Sequence, residues 1–350
     1  MQDPFKEYIK QVEPSKKERG YVWSTAIGLQ DVDGIEVSAY MKETARRNID
    51  GDISLDEARD LIDSYYIANP SLESSDRTEE ADKVATRIAQ VLSENAFSFT
   101  VREYLSIHKR LFLGIYPHAG EVRDYNISKK EWVLDEDTVH YGSAMDLIET
   151  LEYDISKEKE FSYVGLKIDE VIKHIARFIA DLWQIHAFGE GNTRTTAVFL
   201  IKYLRTLGFE VTNDIFAEKA WFFRNALVRA NYSDIKNGVY ETTEYLELFL
   251  RNLLLDEQNQ LRNRRLHIRY DNNTDFERKI ENIQATLKTK ENVRTMFDEY
   301  GVDKSFGRGA VMELLDLKQT RTSELLAWLL EENMIETMPG EGKGKYRFKL

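Results

Sequence analysis

LWQIHAFGEGNTRTTAVFLIKYL, residues Leu182 to Leu204, is the stretch on which the reading of this chain turns. An apolar segment runs into His186; a short loop carries Gly189, Glu190, Gly191, Asn192, Thr193 and Arg194; a second apolar segment begins near Thr195. Just upstream, Ile175, Phe178, Ile179 and Leu182 recur at i, i+3, i+4 and i+7, one face of an amphipathic helix. The loop thus feeds a helix N-terminus, whose unpaired N–H groups and positive dipole end suit a phosphate. Glycine lets backbone approach an anion closely, Arg194 can fork onto phosphate oxygens, and Glu190 is a hard oxygen ligand of the kind Mg2+ takes beside a nucleotide. His186, at the loop entrance, can take a proton near neutral pH. These are the parts of phosphoryl or nucleotidyl transfer.

Outward from the loop, long helical patterns with few breakers fill roughly residues 80 to 260. Among 350 residues there are only 5 Pro and 18 Gly, and 42% are hydrophobic, which predicts a mainly helical protein with enough apolar mass for a large core. One island differs: VRDYNISKKEWVLDEDTVHY, Val122 to Tyr141, is rich in β-branched and aromatic residues around charged turn residues and reads as a short hairpin. The absence of Cys excludes disulfides, thiolate zinc sites and Cys nucleophiles. With 48 Lys and Arg against 61 Asp and Glu, the net charge of −13 disfavours a protein that coats nucleic acid. No stretch approaches the roughly 20 apolar residues of a membrane span, and MQDPFKEYIKQ lacks a signal-peptide layout, so a cytoplasmic location with no membrane partner is expected.

HAFGEGNTR resembles the signature HxFx(D/E)GNGRxxR of Fic-domain proteins, an all-helical family that mostly transfers AMP from ATP to a hydroxyl of a target protein. SIHKRLFLGIYPHAGEVRDYNI, Ser106 to Ile127, resembles the family's helix and following flap, which positions a target segment by strand pairing. The resemblance covers roughly residues 80 to 255. It implies an all-α Fic core with a small β-hairpin flap, ATP as donor and Mg2+ as cofactor. By that resemblance His186 is the general base, Phe188 anchors the loop, and Glu190 holds Mg2+. Gly189, Gly191, Asn192 and Thr193 line the anion cradle, while Arg194 holds the β or γ phosphate. The implied partner is a protein with a Ser, Thr or Tyr hydroxyl, with modification of the chain itself and a homo-oligomer also allowed.

Three positions depart from the signature. Thr193 replaces a glycine and puts a side chain where backbone usually faces phosphate; Ala197 replaces the second arginine; Ala187 replaces a frequent proline. They leave the donor open between ATP and another nucleotide or phosphate donor. The other histidines, His108, His118, His140, His174 and His267, lack metal-ligand spacing and are assigned to core, flap or surface.

Residues 1–79 form a helical segment of their own in this reading, ended by NPSLESSDRTEE from Asn69 to Glu80, with two short helices joined by a turn at Asp50 and Gly51. RNIDGDISLDE imitates a Ca2+ loop, but Arg46 stands where the first carboxylate is needed. The segment resembles instead the small antitoxin helix of Fic enzymes, with the pattern Ser or Thr, three residues, then Glu-Gly or Glu-Asn. The corresponding positions are Arg46, Asp50 and Gly51, so Asp50 and Gly51 are its regulatory candidates.

After a polar linker at 259–285, residues 286–350 have their own grammar. Val311, Leu314 and Leu315 share a helix face, Lys318 to Arg321 is a turn, Ser323 to Glu332 is a second helix, and MIETMPGEGKGKYRFKL alternates like two strands around a glycine turn. That order resembles a winged-helix module, an additional α+β domain. Its 11 basic and 11 acidic residues permit DNA without requiring it. Arg321, Ser323, Lys343 and Lys345 are the DNA-contacting candidates, and a protein partner is the alternative. A nucleotide-sensing DNA-binding regulator is the rival to an enzyme.

Overall fold

The computed structural model describes residues 14–69, 77–211, 215–268, 274–302, 305–338 and 344–349. The chain divides into two compact units, Met1–Glu131 with Asp137–Leu261, and Trp132–Glu136 with Arg262–Leu350.

The first unit is helical: α1 (Pro14–Gly28), a 3-10 turn at Leu29–Asp33, α2 (Ala39–Asp50), α3 (Leu55–Ala68), α4 (Thr78–Ser93), α5 (Val101–Phe112), α6 (Leu147–Glu160), α7 (Ile168–Ile185), α8 (Asn192–Thr206), α9 (Ile215–Ala230) and α10 (Glu244–Leu255). Residues 14–69 are packed into this unit, α1 lying along α4 and α9 with Trp23 buried. Every residue of α8 from Asn192 to Leu204 is buried. A helix covered on all sides belongs at the centre of a unit, and α4, α5 and α7 all pack on α8. Of the expected linker at Asn69 to Glu80, residues 70–76 lie outside the described residues.

The expected flap hairpin is reduced to one antiparallel bridge, Glu131 with Asp137. Between them Trp132–Leu134 form a 3-10 turn, and Asp135 and Glu136 take positive φ of 56° and 68°. Two consecutive left-handed residues break strand geometry. The amide of Lys129 turns to the Thr138 hydroxyl, 3.2 Å away.

The second unit holds α11 (Thr274–Asn282), α12 (Leu287–Tyr300), β1 (Phe306–Gly307), α13 (Arg308–Leu315), α14 (Gln319–Glu331), β2 (Ile335–Thr337) and β3 (Lys345–Phe348), the strands forming an antiparallel sheet in the order β1-β3-β2. Its core joins Phe276, Ile280, Val293, Phe297, Val311, Leu329 and Phe348. Part of the expected linker is therefore helix: Phe276 and Ile280, four residues apart, bury one face of α11. The turn expected at Lys318 to Arg321 falls earlier. Asp316 ends α13 in a left-handed conformation, and Lys318 already precedes the first turn of α14. Lys343 and most of the glycine turn lie outside the described residues.

Candidate active site

α7 stops at His186, whose φ of 49° turns the chain out of the helix, and α8 starts after Gly191, whose φ is 75°. A Cβ at Gly191 would lie 2.4 Å from the ring of Phe112, so glycine is required by space as well as by backbone. Phe188 fixes the middle of the loop: its ring is fully buried, stacked on His108 at 3.7 Å and on Tyr104 at 5.5 Å. Asn192 knits the loop to itself, its Oδ1 accepting from the Phe188 N–H at 3.0 Å and its Nδ2 donating to the Phe188 carbonyl at 2.7 Å.

Arg123 holds the His186 end. Its side chain donates to the carbonyls of His186 (2.8 Å), Gly142 (2.6 Å) and Tyr125 (2.5 Å), and its amide donates to the Ala187 carbonyl. His108 secures the next step: Nδ1 accepts from the Gly120 N–H, leaving Nε2 to donate to the Glu190 carbonyl at 3.0 Å. Burial pushes His108 down to about 4, so it is the neutral tautomer that bridges them.

His186 is buried between Tyr141 and Trp183, with ring centroids at 4.2 and 5.2 Å, and its Nδ1 has no hydrogen-bond partner among the described residues. Burial first, and the Lys129 charge second, hold it well below the usual histidine value. A neutral imidazole is the form that can accept a proton. Glu190 projects from the loop with its carboxylate half exposed, 3.1 Å from Lys129 Nζ. One solvent-facing carboxylate beside an anion cradle fits Mg2+, which completes its shell with phosphate oxygens and water.

Three loop residues have side chains engaged with protein. Thr193 does not crowd the cradle, because its hydroxyl is turned inward to accept from Trp183 Nε1 at 3.0 Å. The Asn192 side chain is used up within the loop, leaving its backbone N–H for an anion. Arg194 is fully buried and faces protein: Glu80 and Asp33 each lie 2.7 Å away, Gln30 accepts at 3.0 Å, and Phe112 lies under the guanidinium at 4.8 Å. Burial works against that charge, but Asp33, Tyr116 and Glu80 outweigh it and raise Arg194 above the usual value. Its guanidinium is thus held by two carboxylates. Ala197 is fully buried.

Asp50 and Gly51 are not brought to the loop. Gly51 ends α2 in a left-handed turn and Asp50 faces Lys16 at 3.7 Å, while Ser54 and Glu57 of the imitation Ca2+ loop form the capping box of α3. The N-terminal residues that reach Arg194 are Gln30 and Asp33, in the turn after α1. No residue type in that turn announces the contact, so Gln30, Asp33 and the scaffold residue Arg123 were missed. Lys129 was hidden among the charged turn residues of the flap. In the second unit Arg321 pairs with Glu324 at 3.1 Å in the first turns of α14, Ser323 lies 3.5 Å from Arg308, and Lys345 is exposed on β3.

Fold and loop define a helical unit whose central helix begins in the loop, beside a buried histidine and the half-exposed carboxylate of Glu190. Residues 98–204 match the Fic/DOC family. Protein adenylyltransferase VbhT of Bartonella schoenbuchensis is 26% identical over 116 residues, 33% of this chain and 23% of that protein. Probable protein adenylyltransferase y4lH of Sinorhizobium fredii is 25% identical over 151 residues, 43% of this chain and 73% of that protein. The chain thus spans about a quarter of the first relative and about three quarters of the second. A crystal structure of a Fic family protein from Desulfovibrio desulfuricans G20 covers 96% of this chain and 88% of its own, at 14% identity and a TM-score of 0.48. No helix among the described residues is long and apolar enough to cross a membrane.

Proposed function

We propose that the Fic domain transfers AMP from ATP to a Ser, Thr or Tyr hydroxyl of a target protein or of the chain itself. The observation that carries this reading is the pairing of a buried, neutral His186 with the free N-terminus of α8. His186 takes the hydroxyl proton as the oxygen attacks the α-phosphorus; the new P–O bond forms as the bond to the pyrophosphate oxygen breaks. The N–H groups of Asn192, Thr193 and Arg194, which have no intrahelical acceptor, hold phosphate oxygens. Glu190 would hold Mg2+, which supplies charge neutralisation on the phosphates. The names of the two relatives support the same chemistry.

The ion pairs of Arg194 and the loss of an arginine at Ala197 favour a second reading of the donor. With neither guanidinium at the phosphates, a nucleotide less charged than ATP is the alternative. Purified protein incubated with Mg2+ and a panel of α-phosphate-labelled nucleotides tests both. We expect label on protein from ATP, lost in His186→Ala while nucleotide binding by calorimetry survives. Label from no nucleotide, or equal label in the variant, overturns the reading.

For the second unit, the order α13, α14, β2, β3 and the placement of Arg321 and Ser323 at the start of α14 favour a winged-helix contact with DNA, its second helix in the major groove. The ion pair of Arg321 with Glu324 favours docking on protein instead. A gel shift of the full chain on mixed genomic fragments at low salt decides. Retained DNA that is released steeply by salt supports the first, and none at high micromolar protein leaves the second.

A further inference from the structure

Away from the loop, three arginines of the first unit share one cleft. It has a volume of about 570 Å3 and lies between the start of α3, the second half of α4 and the end of α5, where Arg59, Arg87 and Arg110 line it with Asp56, Gln90 and Glu94. Both carboxylates are engaged. Glu94 takes Arg110 at two points, one at 2.8 Å, while Asp56 accepts from Gln90 Nε2 at 3.1 Å and lies 3.6 Å from Arg59, which also reaches Asp60 at 3.1 Å. Arg87 differs. Its Nη1 donates to the carbonyls of Leu111 at 3.0 Å and Leu113 at 2.8 Å, but its Nε and Nη2 find no acceptor, and the guanidinium no ion pair, among the described residues. Capping the end of α5 thus accounts for one of its three nitrogens. Burial lowers Arg87 below the usual arginine value, Asp63 opposes that shift, and the Arg59 charge lowers it again. Two guanidiniums repel one another in a cleft where no carboxylate pairs with Arg87.

We propose that this cleft binds a small phosphate ester, with Arg87 and Arg59 taking the phosphate oxygens and Arg110 beside them. Nε and Nη2 form the side-on fork of a guanidinium, two parallel N–H donors that match two oxygens of one phosphate. A phosphate dianion has oxygens and charge enough to serve Arg59 as well. A carboxylate ligand would bring only what Asp56 and Glu94 already offer their arginines. The volume exceeds what a bare phosphate needs and falls in the range of small-molecule sites, which leaves room for the organic group. With three guanidiniums against two carboxylates, the lining favours an anion without calling for a polyanion such as nucleic acid. None of these residues belongs to the loop from His186 to Arg194, so the inference stands apart from the transfer reading.

Calorimetry of the full chain with glycerol phosphate in low-salt, Mg2+-free buffer tests the site, with inorganic phosphate and acetate titrated at the same ionic strength. The parent is expected to bind the ester, and Arg59→Gln to weaken it about tenfold through the loss of one charge-assisted contact. Arg59 pairs only within α3 among the described residues, so that loss cannot come from an anion held at the start of α8. Arg87→Lys is the second variant. It keeps a donor for the Leu111 and Leu113 carbonyls, and with it the fold, but loses the side-on fork, and it too should bind about tenfold more weakly. Inorganic phosphate should bind more weakly than the ester, and acetate not at all. The proposal is overturned by no heat from the ester up to about 10 mM, or by an affinity within about twofold of the parent in both folded variants. Acetate or inorganic phosphate binding as tightly as the ester would overturn it equally.

Discussion

The loop from His186 to Arg194 is held at its two ends by two buried arginines that work differently. Arg123 is 5% exposed and donates to carbonyl oxygens; burial lowers it below the usual arginine value, with no carboxylate to oppose the shift. Arg194 is fully buried and faces Asp33 and Glu80; the balance of charges raises it. One end is fixed by dipoles, the other by ions. Carbonyl dipoles hold the His186 end without placing a carboxylate beside the imidazole. Ions tie a distant segment into the core and, in doing so, engage the Arg194 guanidinium with protein carboxylates.

The largest effect should come from breaking the ionic end. Arg194→Ala leaves Glu80 and Asp33 facing a buried gap and is expected to cost about 3–5 kcal/mol of stability, against about 1–3 kcal/mol for Arg123→Ala, whose former acceptors are neutral carbonyls. Denaturant unfolding of both variants checks the ranking, and equal losses would mean that the distinction between the two ends is empty. The pH dependence sharpens it. Burial works to raise Glu80, but the hydrogen bond from Arg77 and the Arg194 charge outweigh it and hold it below 4.5. Its stabilisation is therefore complete above pH 4.5 and is lost as pH falls through the lower native value. The deficit of Arg194→Ala should shrink below pH 4.5, whereas that of Arg123→Ala should stay flat.

The next effect belongs to the dipolar end. His108 is held at about 4 by burial, against 6.5 when unfolded. The unfolded chain takes up a proton first, so the stability His108 preserves is complete above pH 6.5 and falls as pH drops towards 4, by about 3 kcal/mol. His108→Gln, which retains a donor for the Glu190 carbonyl, should flatten unfolding stability between pH 6.5 and 4. A variant with the parent's slope would show that another group titrates in that window.

Much of this was legible in the sequence, and the reason is range. Helix α7, the loop and α8 are contiguous, so apolar spacing and the signature residues place His186, Phe188, Glu190 and Gly191 without knowledge of the rest. The partners of Arg194 could not be read that way, since Gln30 is 164 residues away and Glu80 is 114 away, in helical segments with no local mark of the contact. The flap misled for a physical reason. β-branched and aromatic residues promised strands, yet Val133 and Leu134 are spent on burial in the second unit, and the consecutive positive φ values of Asp135 and Glu136 close the turn. In the linker, only Phe276 and Ile280 carry the helical spacing, too short a signal to stand out from a polar run.

The smallest effect concerns the ion pair between the flap and the loop. Lys129 and Glu190 form an ion pair at 3.1 Å with side chains 30% and 50% exposed, so the pair is screened and contributes about 1 kcal/mol at most. On the transfer reading, Mg2+ held by Glu190 must compete with that ammonium for the same carboxylate. Lys129→Ala should then lower the Mg2+ concentration for half-maximal labelling by up to about fivefold, the equivalent of about 1 kcal/mol. Removing a cation near His186 should also raise its pKa, because the Lys129 charge is one of the causes that depress it. The acid limb of the labelling profile, where His186 gains the proton that disables it as a base, would then move to higher pH. A variant with a lower Mg2+ midpoint and an unmoved acid limb would place Lys129 on the metal side only. The reverse would assign it to the base. If neither moves, the ion pair has no bearing on transfer, and the dipolar and ionic ends of the loop act independently of the flap.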